Sequence, residues 1–415
     1  MRNSLIAALI ILLFTSCNQI TSDPNIKQGM SHDRLSRIDT MLIKAVETKE
    51  IPGAVALVVR NGKTVYQKSF GIANPENNRN FNDNDIFRIA SMSKAITSLA
   101  VLMLWEEGKF FLDDPISKYI PSFSEIEILD KFNSKDSTFT STSSINKITI
   151  RHLLTHTSGI GYGEIDGNPA IRSIYWKEGL RDIFSPDQNM AEITNAISKQ
   201  PLHHEPGEKF TYSLGLDVLG HFVELMSGMT FPEFLRKRIF DPLQMDDTYF
   251  TLPKEKHNRL VPVITRSGEE WAVFNTSIYD VNYPLKEKSF FSGGAGLSST
   301  VQDYAKFLSL FLNNGKANDY QIIGKKTCEL VYENQMPKNE NASLGLVFGI
   351  LPKKDLKIGA GGSEGTLTWG GYFNTSYFAD PEENLIGIIH KQTYNIGNDN
   401  TSRKFRELVF QSVVE

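Results

Sequence analysis

The sequence predicts an α+β fold. One antiparallel sheet is assembled from both ends of the chain and flanked by helices, with a mostly helical lobe inserted between them. Three observations carry that expectation. Strand-like runs at 54–60 and 63–71 flank Asn61-Gly62, and Asn-Gly between alternating apolar residues is the strongest short hairpin signal. Segments at 344–350, 366–369, 372–379 and 385–390 repeat the strand pattern in the last third. The residues between are dominated by helical runs, above all FRIASMSKAITSLAVLMLWEEG at 87–108, apolar on every face from Ala95 to Trp105. That is the mark of a helix buried in a large domain.

Residues 1–17 stand apart from the fold. Arg2 supplies a short positive region, residues 5–14 an unbroken apolar run, and Thr15-Ser16-Cys17 a small-residue end. The run is too short to span a membrane as a helix and suits a secretory signal. Ending on cysteine, it resembles the bacterial lipoprotein signal, with Cys17 lipidated as the first mature residue; Phe14 stands where leucine is usual, and an ordinary cleaved signal is the alternative. Residues 18–34 are expected as a tether and 35–415 as the folded domain. Within it, 35–90 and 285–415 would form an α/β lobe and 91–284 a helical one. The only other cysteine is Cys328. With Cys17 lipidated no intramolecular disulfide can form, and Cys328, in a helical stretch without a neighbouring histidine, reads as a buried structural thiol. The 44 basic and 48 acidic residues are spread without runs, a balance that suggests neither a nucleic-acid partner nor an anionic membrane face.

Along the mature chain, residues 32–49 have helical periodicity and stop before Pro52-Gly53. Gly108 ends the central helix. Leu112-Asp113-Asp114-Pro115 opens a short helix reaching about 121, and the Ser/Thr-rich stretch 124–147 reads as an exposed excursion. Helical runs follow at 148–157, 190–199 and 231–240, with another introduced by 207–220. SGGAGLSS at 292–299 reads as a tight turn into an amphipathic helix at 301–312; the Walker pattern that would make it a phosphate cradle is missing. A helix over 402–414 closes the chain.

Chemistry concentrates at three places. Ser91 and Lys94 lie three residues apart at the amino end of the buried helix, a spacing that puts both on one face. A serine hydroxyl needs a nearby base to take its proton, and a desolvated lysine can be one. Tyr212-Ser213, just before a helix, could place a phenol in a cleft to pass protons. Trp369-Gly370-Gly371-Tyr372 opens a strand with two glycines that admit a ligand close to the backbone. An N–H there, with that of Ser91, could form an oxyanion hole.

Other patterns lose on inspection. Gly361-Gly362-Ser363-Glu364-Gly365, followed by Asp380 and His390, mimics a Gly-x-Ser-x-Gly triad, but that motif needs a strand before its serine and a helix after it. His152 and His156 are spaced for a metal, yet Leu153 stands where a zinc protease has glutamate and no third ligand is evident. Packing and backbone hydrogen bonds account for them better. His203-His204 read as a surface turn. Nothing calls for a metal or a cofactor.

Taken in order and spacing, Ser91-Met92-Ser93-Lys94, Tyr212-Ser213 and the Trp369 segment resemble the serine β-lactamase-like, penicillin-recognising superfamily, and within it the class C β-lactamases and family VIII esterases. IPGAVALVV (51–59), LDDPISKYIP (112–121), ITIRHLLTHTSGI (148–160) and GGAGLSSTVQDYAKF (293–307) support the likeness, which runs from about residue 35 to the carboxyl end. It implies a β-lactamase/transpeptidase-like fold with Ser91 as acylated nucleophile and Lys94 with Tyr212 as general-base pair. The backbone amides of Ser91 and Tyr372 would be oxyanion donors, and Leu214, Trp369, Gly370 and Gly371 would line the substrate. Two departures stand out. Leu214 occupies the place of an amide-binding asparagine, and Trp369-Gly370-Gly371 replaces Lys-Thr-Gly, removing the lysine that meets a substrate carboxylate. Both look like the esterase branch.

The expectation is therefore an exported serine hydrolase, lipid-anchored through Cys17 to a bacterial membrane on its periplasmic or outer face. Its partner would be a small-molecule acyl substrate, preferably a carboxylic ester, with no nucleic acid involved. The rivals are a D-amino-acid peptidase or β-lactamase acting on cell-wall-related amides, and a lipoprotein that binds ligands without turnover.

Overall fold

The structure is a computed structural model that describes residues 25–180, 188–276, 280–317, 320–338, 340–356 and 361–415. The expected signal segment and Cys17 lie outside these. Among the described residues no helix is long and apolar enough to cross a membrane.

Seven strands form the main sheet: β1 Gly53–Arg60, β2 Lys63–Asn74, β3 Arg79–Asn80, β4 Gly349–Ile350, β5 Leu367–Gly371, β6 Thr375–Asp380 and β7 Leu385–His390. Their order is β4-β5-β6-β7-β1-β2-β3 and every pairing is antiparallel. The amino-terminal hairpin thus docks on the carboxyl-terminal meander through β1 against β7, Val55 opposite His390 and Arg60 opposite Leu385. This is the sheet expected from both chain ends.

β1 is buried on both faces, and its alternation divides the core. Ala54, Ala56 and Val58 pack with Leu35, Ile38 and Leu42 of α1 (His32–Glu47) and with Phe405 and Val409 of the terminal helix Thr401–Phe410. Val55, Leu57 and Val59 point the other way, into the large core shared with α2 (Ser93–Glu106) and the helix Val301–Leu312. Successive strand side chains face opposite sides, so one strand serves both layers. α2 has every residue from Ser93 to Leu104 buried. Burying each large aliphatic side chain contributes about 1.5–3 kcal/mol, enough to fix the helix that carries the site. Its polar members are tied down: Ser93 Oγ accepts from the Leu297 amide at 3.1 Å, and Thr97 Oγ1 donates to the Gly293 carbonyl at 2.7 Å.

The structure departs from expectation in several places. Of the supposed tether 18–34, residues 25–34 are built into the fold: Ile26–Lys27 pairs with Met30–Ser31, Met30 is fully buried, and Arg60 donates to the Gly29 and Glu415 carbonyls. The stretch 124–147 is exposed as expected but forms a hairpin, Glu127–Asn133 with Thr138–Ser143. Its first strand lays Ile128 and Leu129, neighbours along the chain, against the main core, so no alternation announced it. The helix expected over 148–157 is Ile150–Leu154 alone, because His156 takes a left-handed backbone with φ 55°. Between Leu344 and Ile350 only Gly349–Ile350 is strand.

Candidate active site

Ser91 lies in a short 3-10 turn, Ala90–Met92, that feeds α2. The turn is tied to its surroundings from both sides. Phe87–Arg88 pairs with Ser298–Ser299, and the Ile89 amide donates to the Leu297 carbonyl at 3.0 Å. Arg88, fully buried, spends its guanidinium on the Val261 and Val281 carbonyls at 2.7 and 2.5 Å. Ala90 has φ 42°, a left-handed conformation that costs a non-glycine residue free energy and persists only where packing enforces it. The residue before the serine is therefore strained, and the strain turns Ser91 toward the cleft.

Three oxygens surround the Lys94 ammonium: Ser91 Oγ at 3.4 Å, the Tyr162 hydroxyl at 3.1 Å and the Gly294 carbonyl at 2.7 Å. They match its three N–H donors. The nitrogen also sits 4.6 Å from the Tyr212 ring centroid and 5.1 Å from that of Tyr162, both within cation–π range. The Tyr212 hydroxyl donates to Ser91 Oγ at 2.6 Å. A serine, a lysine and a tyrosine from two distant segments thus share one hydrogen-bonded cluster.

Tyr212 is held by its neighbours. Its ring stacks on Tyr162 at 5.1 Å and 11° and leans on His156 at 4.7 Å. His156 Nδ1 accepts from the Ser213 amide at 3.2 Å and bonds Ser213 Oγ at 3.0 Å, so its ring is neutral with the proton on Nε2. Burial lowers its pKa well below the usual value, and the charge of Lys94 adds to this. Tyr162 is placed by its amide, which donates to Asp166 Oδ2 at 2.9 Å, the same oxygen that His203 Nε2 reaches at 2.9 Å. Burial raises the Tyr162 hydroxyl well above its ordinary pKa, helped by Tyr212 and Asp217.

On the far side, the Trp369 ring stands 6.1 Å from that of Tyr212. Gly371 has no room for a side chain, since a Cβ would strike the Ile89 carbonyl and Thr375 Oγ1. That close pass lays the end of β5 against the serine turn and brings the backbone at Tyr372, whose side chain is 41% exposed, alongside. Gly370 faces the other side of the sheet, where a Cβ would come within 2.9 Å of the Thr375 carbonyl.

Leu214 does not line the cleft. It is 1% exposed, belongs to the main core and stands at the N-cap of the helix α3, Gly215–Ser227, its amide donating to the Gly161 carbonyl. The chain turns into the helix there, which takes the side chain inward.

The competing patterns fall apart geometrically. Asp380 pairs with Leu385 and Thr375 with His390, so Asp380 and His390 occupy opposite ends of one hairpin, roughly 17 Å apart at 3.4 Å per residue. Asp380 Oδ2 instead accepts from the Ser363 amide and Thr366 Oγ1, both at 2.7 Å. His152 closes a capping box with Thr149, and no cluster of three metal-binding side chains occurs among the described residues. His203 and His204 form no surface turn: His204 is buried and bonds Thr211 Oγ1 at 2.8 Å, while His203 pairs with Asp166. Cys328 is buried, its thiol pushed up to about 12 by desolvation.

Sequence reasoning missed Tyr162, His156 as a support, and Asp217 with Gly294. His156 and Gly294 lay in stretches already singled out, 148–160 and 293–307, but without these roles.

The chain is similar to several known proteins. Esterase EstB of Burkholderia gladioli is 29% identical over 382 residues, 86% of this chain and 90% of its own. Lovastatin esterase of Penicillium rubens is 28% identical over 380 residues, 85% of this chain and 91% of its own. The solved structure of EstCE1, a hydrolase with promiscuous acyltransferase activity, superposes with a TM-score of 0.76 at 22% identity, covering 91% of this chain and 99% of the other. The beta-lactamase family model matches residues 38–409, nearly the whole described fold, and the chain belongs to that family.

Proposed function

We propose that this protein is a serine hydrolase that cleaves carboxylic esters through an acyl-enzyme on Ser91. The observation that carries the reading is the 2.6 Å contact between the Tyr212 hydroxyl and Ser91 Oγ, with Lys94 at 3.4 Å from the same oxygen. A nucleophile within hydrogen-bond reach of a base, itself held by further groups, is the arrangement nucleophilic catalysis requires. With the Tyr212–Lys94 pair one proton short of the phenol–ammonium form, Ser91 gives its proton to the pair as Oγ bonds the substrate carbonyl carbon. The carbonyl electrons move onto oxygen, where the amides of Ser91 and Tyr372 receive the charge. Collapse breaks the bond to the alkoxide, which takes the proton back from the pair. Water then repeats the sequence on the acyl-enzyme, releasing the acid and restoring Ser91.

The ester preference draws support from Trp369, an uncharged ring where the lactamase pattern has a lysine, and from relatives named esterases. The aromatic wall of Tyr162, Tyr212 and Trp369 suits an apolar acyl group. We also propose export and lipid anchoring at Cys17, supported by residues 1–17 of the sequence.

Labelling the protein with a fluorophosphonate and mapping the modified peptide tests the reading. Modification of Ser91, abolished by Ser91→Ala and retained by Ser363→Ala, is expected. Label on Ser363, or no label with any ester turnover unaffected by Ser91→Ala, overturns it.

A further inference from the structure

We infer that Asp217 is a positioning residue for Lys94, acting through the Gly294–Ala295 peptide and Ser292; the inference rests on Lys94 being a member of the base pair. Asp217 lies on α3, 1% exposed. Its Oδ1 accepts from Ser292 Oγ at 2.5 Å and from the Gly294 amide at 3.2 Å. Ser292 Oγ in turn accepts from the Ala295 amide at 3.0 Å. That amide shares its peptide group with the Gly294 carbonyl, which accepts from Lys94 at 2.7 Å. A continuous chain therefore runs from the ammonium to the carbonyl, along one peptide to its N–H, then through a hydroxyl to a carboxylate. Every dipole in it points the same way, and bonds in such a chain strengthen one another in a low-dielectric interior.

The glycines make the approach possible. A Cβ on Gly294 would sit 2.6 Å from Asp217 Oδ2, and one on Gly293 would strike the Leu216 carbonyl. Among the described residues Asp217 Oδ2 has no hydrogen-bond partner. A carboxylate buried with one oxygen unmet is expensive unless a cation lies close. An asparagine would serve a purely structural purpose at less cost. Burial raises the Asp217 carboxyl, and the nearby charge of Lys94 opposes that rise. The groups facing Lys94 are Ser91 of its own segment, Tyr162, Tyr212 and neutral His156 from the loops, Tyr377 from β6 and Asp217 from α3. Of these Asp217 supplies the anion.

The test is the pH dependence of kcat/KM for a p-nitrophenyl ester in Asp217→Asn, Ser292→Ala and Lys94→Ala, with thermal melting as control. An anion beside a base favours its protonated form, and Asp217→Asn removes that anion from beside the base pair. The pH profile of Asp217→Asn should therefore move toward acid by about one unit, with kcat down roughly tenfold, the change one unit of basicity carries. KM should stay within about threefold, since an interaction confined to the chemical step leaves ground-state binding alone. Ser292→Ala should shift the profile the same way by less, and it carries the test should Asp217→Asn fail to fold. Adding Asp217→Asn to Lys94→Ala should cost nothing more, as two members of one unit do not add. An unmoved profile in both single variants, while Lys94→Ala is crippled, overturns this inference alone. Full activity in Lys94→Ala overturns the base-pair reading beneath it.

Discussion

Replacing Tyr212 by phenylalanine removes one hydroxyl and leaves the rest of the site intact. The ring keeps its stack on Tyr162 at 5.1 Å, its contact with His156 at 4.7 Å and its place 4.6 Å from the Lys94 nitrogen. What goes is the 2.6 Å bond to Ser91 Oγ. One hydrogen bond at a half-buried position contributes about 1 kcal/mol to stability, so Tm should fall by no more than about 4 °C. If the hydroxyl relays the serine proton, its loss removes a general base, worth roughly 10²–10⁴-fold in kcat. At 1.36 kcal/mol per decade that is about 3–5 kcal/mol of transition-state stabilisation, several times the folding effect. The assay is kcat and KM on a p-nitrophenyl ester, the single-turnover rate of fluorophosphonate labelling, and a melting curve on the same preparation. Acylation slowed by less than about tenfold, below the range for a lost general base, refutes the relay. A large fall in Tm with a matching loss of activity would make the hydroxyl structural instead.

Three further outcomes are expected. Short-chain p-nitrophenyl esters should be turned over clearly and cephalosporins weakly, because Trp369 leaves a substrate carboxylate unpaired at roughly 1–3 kcal/mol, or about 5- to 150-fold in kcat/KM; a cephalosporin value equal to the ester value sinks the preference. His390 is fully buried with neither ring nitrogen bonded among the described residues, and burial pushes its pKa down to about 3 from 6.5. The unfolded chain binds a proton below about pH 6.5 that the native chain refuses, so stability falls by ~1.4 kcal/mol per unit of pH until about pH 3. Urea midpoints at pH 7 and 5 should show His390→Leu sparing about 2 kcal/mol of that loss, and identical pH dependence in both proteins would defeat the argument. Mass spectrometry of the mature amino terminus should find a diacyl- or triacylglyceryl Cys17, with Cys17→Ser released from membranes; a lipid-free terminus at another residue rules the anchor out.

What the sequence by itself determined was whatever depends on neighbours along the chain. Asn61-Gly62 marked the hairpin of β1 and β2, residues 385–390 gave strand β7 with its observed bounds Leu385–His390, and the apolar run after Ser91 gave a helix buried as far as Leu104. Ser91 and Lys94 were legible for the same reason, since helical spacing alone brings residues i and i+3 together. The tertiary structure decided the rest. Tyr162 and Gly294 reach Lys94 across 68 and 200 residues, Tyr212 reaches Ser91 across 121, and Asp217 meets Ser292 across 75. Leu214, two residues beyond Tyr212, turned into the core because α3 begins there. Ala90 took its strained backbone because packing on both sides of the serine turn left no other. Periodicity records which face of an element is apolar; which loops close over that face, and which of their atoms then point at one lysine, is fixed only when the layers pack.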